Sequence, residues 1–123
     1  MYKREEGVLH KKSYAFAIRI VKMVIYLREN KQEFVISKQI LRSGTSIGAL
    51  VRESEFAQSH ADFSHKMSIA LKEVNETDYW LNILKDTEFI DQDAFKSMED
   101  DCNELIALLV SSIKTIKNKI KDE

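Results

Sequence analysis

The sequence predicts an all-α protein, an antiparallel up-down-up-down four-helix bundle built as one domain over residues 1–123. Three observations carry that prediction. Apolar residues recur at helical spacing in four successive stretches, which places them on one face of each helix. Proline is absent, so nothing in the chain forces a helix to kink or stop. The stretches between periodic segments are short, which makes consecutive helices antiparallel neighbours. With 44% hydrophobic and 32% charged residues, 123 residues are enough to bury a core and too apolar for disorder.

The first helix, about residues 10–30, carries two apolar stripes. Tyr14, Ile18, Val21 and Ile25 form one, and Phe16, Ile20, Met23 and Leu27 the other. Only Ala15, Arg19, Lys22, Tyr26 and Glu29 remain as a narrow polar face. A helix in a monomeric bundle needs one buried stripe, so the second is expected to meet another subunit. The alternative is a helix sunk deep between two neighbours.

The second helix, about residues 34–57, keeps Ile36, Ile40, Gly44, Ile47, Val51 and Ser54 in register. Its centre, "SGTSIG", is an odd choice, because each internal glycine costs about 1 kcal/mol relative to alanine. Gly44 and Gly48 lie one turn apart, and with Ser43 and Ala49 they make a patch without bulk where another backbone can approach. Glycines and hydroxyls also cradle phosphates. However, the run has no G-x-x-x-x-G-K-[ST] pattern, no preceding strand and no lysine in the required place. Close helix packing is therefore the reading adopted.

The third helix, about residues 60–86, begins at a capping signal in which Ser59 is followed three residues later by Asp62. Its core stripe reads Phe63, Met67, Ala70, Leu71, Val74, Leu81 and Leu84. The fourth, about residues 91–121, repeats through Phe95, Met98, Cys102, Leu105, Leu109, Ile116 and Ile120. Its acids, from Asp91 to Glu104, come early and its lysines, from Lys114 to Lys121, come late, as the helix dipole favours.

Charge and cysteine content narrow the function. A net charge of -1 removes the global positive field of a strong nucleic-acid binder, so any such binding needs a local patch. A single Cys102 forms no internal disulfide and sits on an apolar face, where free cysteine acts as a small core residue. With no signal-like start and no long apolar run, the expectation is a cytoplasmic protein that does not enter a membrane.

The run from Ile40 to Leu84 resembles the four-helix-bundle family of 23S rRNA intervening-sequence proteins. The residues that carry the resemblance are Arg42, Ser43, Gly44, Thr45, Ser46 and Ile47, then Glu53, Ser59, Asp62 and Phe63. They continue through Ile69, Ala70, Leu71, Glu73, Glu76, Tyr79 and Trp80. The pair Leu50 and Val51 departs from the Asn-Ile-like pair of the family, so a polar role at position 50 is absent here. The resemblance implies an antiparallel bundle that assembles into a homo-oligomeric ring, a homopentamer, and it implies no known activity. A more distant similarity is to the accessory proteins of diversity-generating retroelements, which share the pentameric bundle and assist a reverse transcriptase.

Chemistry is sought first on the third helix, where Ile69, Glu73, Glu76, Trp80 and Ile83 share one stripe. Paired carboxylates can bind a metal or act as acid and base. A di-iron bundle needs two E-x-x-H pairs, and His10, His60 and His65 complete none. No cofactor or metal is expected, and no catalytic residue is assigned. Glu73 and Glu76 are instead read as partners for Arg42, Arg52 or Lys66, in a polar set that also takes in Glu53 and fixes helix or subunit register. Trp80 beside Tyr79 can stack on a base, though such a pair more often fills a helix interface. Lys114, Lys117 and Lys121 share a face that could contact nucleic acid, against the simpler reading that they complement the dipole.

The reading that follows is a non-catalytic, homo-oligomeric interaction protein whose chief partner is itself. The runner-up is a nucleic-acid-associated accessory protein that binds RNA or a nucleic-acid-processing protein, such as a reverse-transcriptase complex, through a lysine-rich ring surface. A metal or hydrolytic enzyme using Glu73 and Glu76 comes third.

Overall fold

The computed structural model describes residues 7–122. They form four helices joined by short turns, with no strand among the described residues: α1 Val8–Lys31, α2 Ile36–Ser54, α3 His60–Asp86 and α4 Gln92–Asp122. Among them no helix is long and apolar enough to cross a membrane.

Local chemistry sets the ends. At the close of α1, Gln32 takes a left-handed conformation (φ 50°) and the chain turns so that the Glu33 N–H donates to the Leu27 carbonyl at 3.0 Å. That turn aims the buried Glu33 carboxylate at the start of α2. It accepts from the backbone N–H groups of Val35, Ile36 and Ser37 at 3.1, 3.0 and 2.7 Å. Three donors that a helix start leaves without a partner are thereby satisfied. This is why α2 begins at Ile36, two residues later than its periodicity suggests. At its other end three consecutive N–H groups, from Glu55 to Ala57, bond three residues back. The helix tightens and stops at Ser54 instead of reaching residue 57.

Ser59 caps α3 by accepting from the Asp62 N–H at 3.1 Å, and Asp62 accepts in return from the Gln58 N–H at 3.2 Å. Asp91 opens α4 in the same way, accepting from the Ala94 N–H at 2.7 Å.

Cross-helix pairs give the topology. Ser13 lies against Gly48 while Arg28 bonds Ser37; Glu53 pairs with Lys66 while Arg42 pairs with Glu73. Lys85 lies over Phe95 from α3 to α4, and Arg19 and Lys12 of α1 reach Asp101 and Glu104 of α4. Where two rungs join a helix pair, numbers rise on one helix as they fall on the other, an antiparallel arrangement consistent with a four-helix bundle. The α1–α4 interface is the least extensive of the four between neighbours.

The core draws on every helix: Phe16, Ile20 and Leu27 from α1, Ile40, Ile47 and Val51 from α2, Met67, Ala70, Val74, Leu81 and Leu84 from α3, and Phe95 to Leu109 at helical spacing from α4. Burying one such side chain contributes about 1.5–3 kcal/mol. Val24 and Thr77 are buried as well, extending the expected stripes. Phe63 and Leu71 are only half-buried at the edge of the core, and Ile120 is exposed because α4 runs on past the helices that cover Ile116.

Candidate functional site

The small-residue patch of α2 divides between neighbours. A Cβ on Gly44 would stand 2.6–2.9 Å from three side-chain carbons of the fully buried Ile20, and one on Gly48 would stand 3.2 Å from the Ser13 carbonyl oxygen. Both glycines thus let α1 cross α2 closely. Ser43, a turn of 100° away, faces α3 instead, where its hydroxyl accepts from Thr77 at 2.9 Å. Ala49 is exposed, so it is not part of the buried close-packing patch expected of it. No phosphate-cradling loop exists here, since the whole run is helical.

Across the α2–α3 seam runs a polar network. Arg42 donates to Glu73 at 3.1 Å and also to Glu76. Ser46 donates to Glu73 at 3.0 Å, and the Trp80 indole N–H donates to Glu76 at 3.2 Å. The hydrogen bond that Arg42 donates to Glu76 and the charges of both carboxylates raise the Arg42 guanidinium above its ordinary value, against an opposing effect of burial. Each carboxylate accepts from a guanidinium and from a neutral donor, which is an ion-pair arrangement. Lys66 pairs with Glu53 at 3.6 Å and not with Glu73, because the antiparallel register sets residue 66 opposite 53 and residue 73 opposite 42. Arg52 is exposed and joins neither Glu73 nor Glu76. Among the described residues no group of three or more His, Cys, Asp or Glu side chains is arranged to hold a metal ion.

Other groups that periodicity alone does not single out lie on the remaining seams. Arg19 clamps α4 through Asp101 at 2.6 Å and the Ser97 hydroxyl at 2.8 Å. His10 Nδ1 lies 2.8 Å from Glu55, joining the start of α1 to the end of α2 beside a cavity of about 530 Å³ lined by Ser54, Glu55, Ser59, His60, Phe63 and Ile116. Between α3 and α4, burial and the facing Glu99 raise the Asp78 carboxyl, with Lys85 acting the other way. Burial first, and then the charges of Asp78, Asp101 and Glu99, push the Cys102 thiol up to about 12. At neutral pH it is a protonated core group and no nucleophile.

Two surface features stand apart from these seams. The first is the outer stripe of α1, where Tyr14, Ile18, Val21 and Ile25 are 58%, 41%, 39% and 49% exposed while the other stripe is spent in the core. The second is the end of α4, where Lys114, Lys117 and Lys121 are all exposed.

The sequence matches the model of the family described as 23S rRNA-intervening sequence protein over residues 5–111. Among solved structures the chain is similar to a protein of unknown function from the S23 ribosomal protein family of Bacteroides thetaiotaomicron. The two are 54% identical, with a TM-score of 0.86, over 87% of this chain and 99% of that one. No curated protein matches the sequence.

Proposed function

The chain belongs to the 23S rRNA-intervening sequence protein family, and from that premise we propose that it is a non-catalytic helical bundle that assembles with copies of itself into a ring. The single observation that carries this reading is the outer stripe of α1, four large apolar side chains in a row, each about half open to solvent. Covering what remains exposed would add about 1 kcal/mol per side chain before the entropy of association is charged. In a ring each copy offers this stripe to a different patch on the next copy, since only a two-fold dimer joins like to like. Five copies is the number the family resemblance implies. The ion pairs of Arg42 with Glu73 and Glu76, and of Lys66 with Glu53, serve as register devices that contribute roughly 0–1 kcal/mol each at such exposure.

Light scattering on the purified protein tests this. The expected mass is that of five copies of the 14.3 kDa chain. Replacing Ile18 and Val21 together by Glu should give a helical monomer, because two charges would have to be buried for the contact to form. A wild-type protein that is already monomeric would overturn the reading.

A further inference from the structure

We infer that the exposed face at the end of α4 is a docking strip for the phosphate backbone of nucleic acid, with Lys114, Lys117 and Lys121 as the contacting residues. The register sets this segment beyond the level of Val8, where α4 lies beside the end of α2 and the start of α3 and turns its lysine face to solvent. Lys12 pairs with Glu104 and Arg19 with Asp101, so Val8, the first residue of α1, comes level with about residues 108–112 of α4. The rest of α4, to Asp122, therefore runs on by about 15–20 Å beside the start of α3.

Along this extension the sequence has lysines at 114, 117, 119 and 121 and no acid between Glu104 and Asp122. All four are exposed. The helix dipole accounts for Lys119 and Lys121, but its effect fades within the last turn and does not reach Lys114 or Lys117. Among the described residues none of Lys114, Lys117 and Lys121 has a carboxylate within ion-pair distance, unlike Lys12, Lys66, Lys85 and Lys96. The three lie on one side of the helix over about 10 Å, a spacing that suits a polyanion with charges repeating every few ångströms. Thr115 and Asn118 fill in between, polar and also exposed. A membrane surface fits less well, because an interfacial helix needs a broad free apolar face. Here Ile116 is buried and Ile113 packs against the core, leaving Ile120 alone.

The strip belongs to each chain, so it stands whether or not the chains assemble. Fluorescence anisotropy with a labelled oligouridine RNA of about 20 nucleotides, titrated between about 50 and 200 mM salt, reads it directly. Three lysines predict a log–log salt slope of about -2 per chain for a single strand. K114E/K117E/K121E should weaken binding at least about tenfold at low salt. The equal charge change K31E/K38E/K72E, at exposed sites elsewhere, should leave it within about twofold. The alanine triple variant, which reverses no charge, should show a smaller loss of the same kind and guards against a folding effect. Oligothymidine DNA of the same length separates the two sources of phosphate: equal binding assigns contact to the backbone alone, and binding of RNA alone adds the 2′-hydroxyl. No binding at low salt, equal loss in both glutamate variants, or binding to anionic phospholipid vesicles in place of either strand would overturn the inference.

Discussion

At the scale of single residues, two positions show how a local rule is broken for a tertiary gain. Gly44 weakens α2 by about 1 kcal/mol, yet even one methyl there would press on Ile20, which is β-branched, wholly enclosed and unable to swing aside. Gly44→Ala should therefore destabilise the protein by about 1–3 kcal/mol, although it raises helix propensity. In an Ile20→Ala background the same change should cost at least ~1 kcal/mol less, since the added methyl then fills space. Urea unfolding of the four proteins checks both figures, and a stability gain in Gly44→Ala alone would refute the close-contact account. Glu33 is the second position. Its carboxylate serves three backbone donors at the start of α2, so Glu33→Ala should cost about 1–2 kcal/mol, more than an average surface truncation. The role of Gly44 was legible in the sequence, because glycine inside a periodic helix demands a packing reason. That of Glu33 was not: it depends on the turn after α1 folding the side chain back, and no spacing rule encodes it.

At the scale of helices, periodicity located all four elements, and the capping residue Ser59 fixed the start of α3. What it missed lies at the seams, where partners are set by register and not by intervals along one chain. Lys66 finds Glu53 for that reason. So does Asp78, whose raised carboxyl comes from burial first and from Glu99 across the α3–α4 seam second. Because the folded chain holds the Asp78 proton more tightly than the unfolded chain, stability from this group falls as pH rises from the ordinary Asp value of 3.8 through the raised one. Asp78→Asn removes the penalty. It should raise the melting temperature at pH 7, by the equivalent of under ~1 kcal/mol for a half-exposed group, and give no gain near pH 3. Thermal melts of both proteins at the two values decide it, and a variant that is less stable at pH 7 would mean that Asp78 is held as a favourable charge instead.

At the scale of the whole molecule, the sequence and the structure meet on α1. Two apolar stripes were legible as a doubled period, but which of them faces inward was not, since both have helical spacing and similar bulk. The structure buries Phe16, Ile20 and Leu27 because the glycines of α2 open a channel for that side. Tyr14, Ile18, Val21 and Ile25 are left outside, beyond what the four-helix body can cover. If copies of the chain cover them, association is linked to folding, and apparent stability depends on protein concentration. The melting temperature should then climb steadily across a hundredfold concentration range, whereas the variant with Glu at positions 18 and 21 should melt at one temperature throughout. It should also melt lower than wild type at high concentration, because it has lost the assembly's contribution, and close to wild type at high dilution, where neither protein is assembled. A wild-type melting temperature that stays constant over that range, with a monomeric mass, would leave the stripe as a surface waiting for a different partner.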